Sequence, residues 1–137
     1  MKPDTPTGFY LCGLMSAMLC VGTAALQFSL NPLPGESGGR LAVRGLSMVL
    51  VPLAAVVTEA LWRARPWAYR ASLALALVYA ATLAAAAVAT RDTWMMGSVV
   101  LWAAGSAAVM VPMLGYIHTR SRQMWPRARV AVPAARP

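Results

Sequence analysis

Between Gly8 and Leu30 the chain runs for 23 residues without a charged side chain. A helix of that length rises about 34 Å at about 1.5 Å per residue, more than the ~30 Å hydrocarbon thickness of a bilayer. In lipid every backbone N–H and C=O has to be bonded within its own segment, so such a run points to a membrane-spanning helix. It is too long for the roughly 7 to 15 residues of a signal-peptide core. Thr23-Ala24-Ala25 would make only a weak cleavage site, and the segment is expected to be retained.

Three more apolar stretches follow, giving expected spans at about 8–30, 43–62, 70–90 and 93–117. Composition agrees, with 59% hydrophobic and 12% charged residues against roughly 25% charged in a soluble domain. The expected fold is all-α: a polytopic membrane protein whose residues 1–118 form an up-down bundle of four transmembrane helices. Thr5 and Pro6 suit a helix start, and Asn31 to Gly39, NPLPGESGG, reads as an exposed loop. Asp92 is placed to cap the fourth span, and Pro52 and Pro112 are expected to kink the second and fourth. Val49-Leu50-Val51-Pro52 is echoed by Val109-Met110-Val111-Pro112, as duplication or chance alike would produce. Residues 119–137, basic and rich in proline, are expected to form a disordered cytoplasmic tail.

Charge gathers where apolar runs end. In the turn Leu61 to Ala71, LWRARPWAYRA, the cations Arg63, Arg65 and Arg70 alternate with Trp62, Trp67 and Tyr69, a mixture that settles at a membrane–water boundary. Arg63, Arg65, Arg70, Trp62 and Trp67, with Arg120 and Arg122, are the expected contacts to lipid headgroups. One side of the four spans holds Lys2, these five arginines, Arg127, Arg129 and Arg136, nine in all; the other holds Arg40, Arg44 and Arg91. Nine against three predicts cytoplasmic N- and C-termini. Heavy use of alanine and arginine suggests a bacterium, hence its inner membrane. The net charge of +8 lies at segment ends and forms no basic face, so its expected partner is anionic lipid and not nucleic acid.

The third span is half alanine. Ala76, Ala80 and Ala84, and likewise Ala81, Ala85 and Ala89, recur every fourth residue, the small-residue spacing on which membrane helices approach closely. This predicts that the third helix is the most enclosed of the four.

Polar residues within the spans are few. Cys12, Ser16, Cys20, Thr23 and Gln27 follow at steps of four, four, three and four, which places them on one helix face. They suit either a packing seam or the lining of a substrate path, and the seam is the commoner use. Glu59, the one acid inside a span, has Arg63 four residues on, the order favouring a helical ion pair; the alternative is a proton or cation site. Cys12, Met15, Met18 and Cys20 are soft ligands but spread around more than half the helix, so no metal site is expected. His118 is the sole histidine, and Ser106, twelve residues away, is about 18 Å from it by helical rise. With no nucleophile–base pair, no phosphate-binding glycine loop and no paired carboxylates, neither an enzyme nor a cofactor is expected. The expected role is a non-catalytic accessory or assembly subunit of a larger membrane complex, packing through alanine against other membrane subunits or itself. The rival is a small homo-oligomeric transporter with the first-span stripe and Glu59 along its path.

Overall fold

The computed structural model describes residues 7–29, 38–91 and 96–125, with the side chains of 27–29 and 38–40 outside the description. Four helices account for nearly all of it: α1 Thr7–Ser29, α2 Gly38–Trp62, α3 Ala68–Thr90 and α4 Met96–Met124. The fold is all-α, with no strand among the described residues, and each helix is long and apolar enough to cross a membrane. Neighbours in sequence are neighbours in space, α1 against α2, α2 against α3 and α3 against α4, while α1 and α4 meet only lightly. Aromatic contacts set the directions. Phe9 meets Tyr116 edge-on at 6.2 Å, Tyr10 lies 5.9 Å from Trp62, and Tyr69 lies 4.7 Å from His118. These contacts gather the start of α1, the end of α2, the start of α3 and the end of α4 at one end of an up-down bundle.

Two helix ends depart from the sequence reading. α2 starts at Gly38, inside the stretch expected to be loop, because an opening turn donates no intrahelical N–H bonds and tolerates glycine while Arg40 to Arg44 favour helix. α4 continues past Ile117 to Met124, so the first six residues of the expected disordered tail are helical. Thr119 to Met124 contain no breaker, and the helix stops where Trp125 precedes Pro126, since a residue before proline is steered out of the α region. The expected caps at Thr5 and Asp92, the loop 31–37 and the tail 126–137 lie outside the described residues. α2 and α4 run unbroken through Pro52 and Pro112, both of which face outward, while Leu50 and Met110, two residues before each proline, are both buried.

The α2–α3 turn is built from backbone bonds. Ala64 takes a left-handed φ of 47°, its N–H donates to Leu61 C=O at 3.0 Å, and Arg65 N–H donates to Ala60 C=O at 2.9 Å. This pair of bonds is a Schellman cap, with alanine in the place usually held by glycine. Ala68 N–H then bonds Arg65 C=O at 3.0 Å, closing a turn with Pro66 second and Trp67 third at φ −91°, ψ −1°. Those are type I values, and the fixed φ of proline suits its position.

Enclosure does not follow the alanine rows. In an apolar 18-residue stretch of α1, 39% of the residues are buried, against 22% in that of α3 and 17% in that of α4, so α1 is the most enclosed helix. α3 turns Ala68, Ser72, Leu75, Tyr79, Thr82 and Ala86 inward, while Ala80, Ala81 and Ala84 face outward and Ala76, Ala85 and Ala89 are half-buried. The face with a leucine, a tyrosine and two hydroxyls has more apolar area to bury and more polar groups needing partners than a row of methyls. α1 comes close to α2 at Gly13, where a Cβ would stand 2.9 Å from Trp62 Nε1.

Candidate functional site

The α1 stripe faces the bundle interior: Cys12, Ser16, Cys20 and Thr23 are all buried, whereas Gln27 falls among the side chains outside the description. Ser16 Oγ donates to Gly13 C=O at 2.9 Å, and Thr58 Oγ1 of α2 donates to the same carbonyl at 3.1 Å. Cys12 and Cys20 are free thiols packed in the apolar core. Ser47, Ser72 and Thr82 each bond a carbonyl one turn back in their own helix. No buried side-chain nitrogen or oxygen lacks a partner among the described residues.

The polar centre of the fold is Tyr79. Its hydroxyl lies 2.8 Å from Ser106 Oγ on α4 and 3.0 Å from Thr23 Oγ1 on α1, and it accepts from Trp102 Nε1 at 3.1 Å. The same indole N–H reaches Thr23 Oγ1 at 3.1 Å. Thr23 also donates to Leu19 C=O at 2.8 Å and Ser106 to Trp102 C=O at 2.7 Å. Thr23, Tyr79 and Ser106 are buried, and Trp102 is partly exposed as the outer wall of the cluster. The sequence reading reaches Thr23 through the stripe and touches Ser106 only as a serine without a base; Tyr79 and Trp102 it misses. A phenol at the middle of a 23-residue apolar helix is a usable signal, because a buried tyrosine hydroxyl normally finds a partner.

No family model, curated protein or solved structure matches the chain.

The remaining candidates are dispersed. Glu59 bonds Arg63 at 2.9 Å with both side chains 62% exposed, so it stands at the bundle end and not in the Tyr79 cluster. Arg63, Arg65, Arg70, Trp62, Trp67, Arg120 and Arg122 are all exposed and belong to that same end, and Arg120 donates to Gln123 Oε1 at 3.0 Å. Met15 and Met18 face outward, away from the buried Cys12 and Cys20. His118 rests against the Tyr69 ring, and no group of three or more His, Cys, Asp or Glu could hold a metal among the described residues. Chemically, the Tyr79 cluster ties three helices together with neutral hydrogen bonds. It offers no charged group to a substrate, and each of its side-chain nitrogens and oxygens already has a partner.

Proposed function

We propose that this protein is a non-catalytic accessory or assembly subunit of a larger membrane complex, seated in a bacterial inner membrane with both termini in the cytoplasm. The observation that carries the reading is an outward groove walled mainly by small and aliphatic side chains. The core hydroxyls are occupied with one another and with nearby carbonyls. Ala80 and Ala84 wall a mostly apolar groove of about 460 Å³ between α3 and α4, with Ala103 and Ala107 opposite and the already bonded Tyr79 and Ser106 also in its lining. Small side chains of this kind let another membrane helix come close. A transport path would need polar groups left open along its length, and Glu59 lies away from the core in an exposed ion pair. The cytoplasmic assignment rests on Arg63, Arg65, Arg70, Arg120 and Arg122 sharing one bundle end, with Arg44 and Arg91 toward the other.

A photo-crosslinking residue placed at Ala84 or Ala107 in intact membranes tests this. The expected product is one adduct with a distinct membrane polypeptide, absent when the probe replaces the lipid-facing Val49 of α2. An adduct of twice the chain's own mass would favour the homo-oligomeric transporter, and no protein adduct at either groove position would overturn the subunit reading.

A further inference from the structure

At the arginine-rich end of the bundle a pocket of about 560 Å³ lies between the start of α3 and the end of α4. That volume falls within the roughly 300–1,000 Å³ of small-ligand sites. Arg70, Arg122, Ser121 and His118 line it, and no carboxylate among the described residues does. Glu59, the described acid at this end, is held by Arg63. Neither Arg70 nor Arg122 bonds an acid among the described residues. Two cations with no counter-charge among the described residues in one concavity favour an anion, and the guanidinium fork matches phosphate oxygens two at a time.

Depth narrows the anion. Arg70 is in the first turn of α3 and Arg122 in the last turn of α4, the level at which the apolar spans end. Tyr69, in ring contact with His118, and Trp125 complete the walls with amphipathic rings, the kind that sit among headgroups. A phosphate entering here from the bilayer would carry its glycerol and acyl chains along the apolar flanks of α3 and α4.

We propose that this pocket binds the phosphate of an anionic glycerophospholipid, one molecule per chain, between Arg70 and Arg122. The site is distinct from the diffuse attraction of scattered basic residues to an anionic leaflet, which salt screens. It does not depend on the subunit reading and requires only that this end of the bundle lie at the membrane surface.

The test is native mass spectrometry of the delipidated full-length protein, offered phosphatidylglycerol or phosphatidylcholine at equal concentration and moderate salt. The expected result is one retained phosphatidylglycerol per chain, with retention falling at least tenfold in Arg70→Gln/Arg122→Gln. The control pair Arg63→Gln/Arg65→Gln removes the same charge from the same end and should stay within twofold of the parent. Arg122→Lys, which keeps the charge and loses the fork, should fall between them and serves if the double variant does not fold. Equal loss in the control pair, or equal retention of phosphatidylcholine, would overturn the proposal. Displacement of the lipid by millimolar inorganic phosphate would overturn the lipid as occupant and assign the pocket to soluble phosphate.

Discussion

Tyr79→Phe removes a single oxygen from the centre of the bundle, and the structure sets how much that should matter. The hydroxyl touches Ser106 Oγ at 2.8 Å, Thr23 Oγ1 at 3.0 Å and Trp102 Nε1 at 3.1 Å. None of the three is stranded by its loss. Ser106 keeps Trp102 C=O, Thr23 keeps Leu19 C=O, and the indole N–H keeps Thr23 Oγ1. The ~1–3 kcal/mol penalty for baring a buried donor or acceptor therefore does not arise. What disappears is hydrogen bonding between helices, worth about 0.6 kcal/mol on average and about 1.7 at most in a membrane bundle. The ring remains, so no large cavity opens, whereas Tyr79→Ala should cost about 3–5 kcal/mol, as aromatic truncations do. The expected loss for Tyr79→Phe is about 1 kcal/mol, roughly a fivefold shift in the unfolding equilibrium. Steric trapping of the full-length protein in bicelles would measure it, and a double-mutant cycle with Ser106→Ala should return a coupling of about 0.5–1 kcal/mol. A loss above 3 kcal/mol for Tyr79→Phe, or no coupling with Ser106→Ala, would refute the claim that the hydroxyl is a shared fastening with replaceable partners.

At Ala64, with its φ of 47°, Val should destabilise the bundle by more than the ~1–2 kcal/mol a left-handed conformation already costs alanine, while Gly should be neutral or slightly stabilising. Thermal unfolding of both variants in micelles checks the order, and a Val variant as stable as the parent would contradict it. Glu59→Gln breaks only an exposed pair and should change stability by no more than about 0.2–1 kcal/mol; loss of growth or flux at unchanged protein level would promote the transporter reading. For topology, single cysteines in 31–37 should be labelled from outside intact cells and cysteines in 126–137 should be protected, with labelling of the latter sinking the cytoplasmic assignment.

The helices themselves were legible because apolar length is a coarse signal that survives any detail of packing. The inward face of α1 was legible too, since Cys12, Ser16, Cys20 and Thr23 stand out against aliphatic neighbours. α3 misled for the opposite reason: where half the residues are alanine, four-residue spacings occur on every face and carry little information. The rarer residues told more. Ser72, Leu75, Tyr79, Thr82 and Ala86 step by three, four, three and four, and they form the buried face. The tertiary partners of Tyr79 were out of reach, because nothing local to Trp102 or Ser106 says which helix lies opposite. The Schellman cap was hidden by its chemistry, as alanine at a left-handed position gives no sequence signal where glycine would have done so.

Around Tyr79 four protons, three from hydroxyls and one from the indole, face six close contacts. With the Thr23 and Ser106 protons turned to carbonyls of their own helices, the phenolic proton swings by rotation about one C–O bond, toward α1 in one setting and toward α4 in the other. A slide of α4 along α1 that stretches either contact leaves that proton a second acceptor on the opposite side. The joint has play in it, a bearing rather than a rivet, and it sits across the lightly packed seam between α1 and α4.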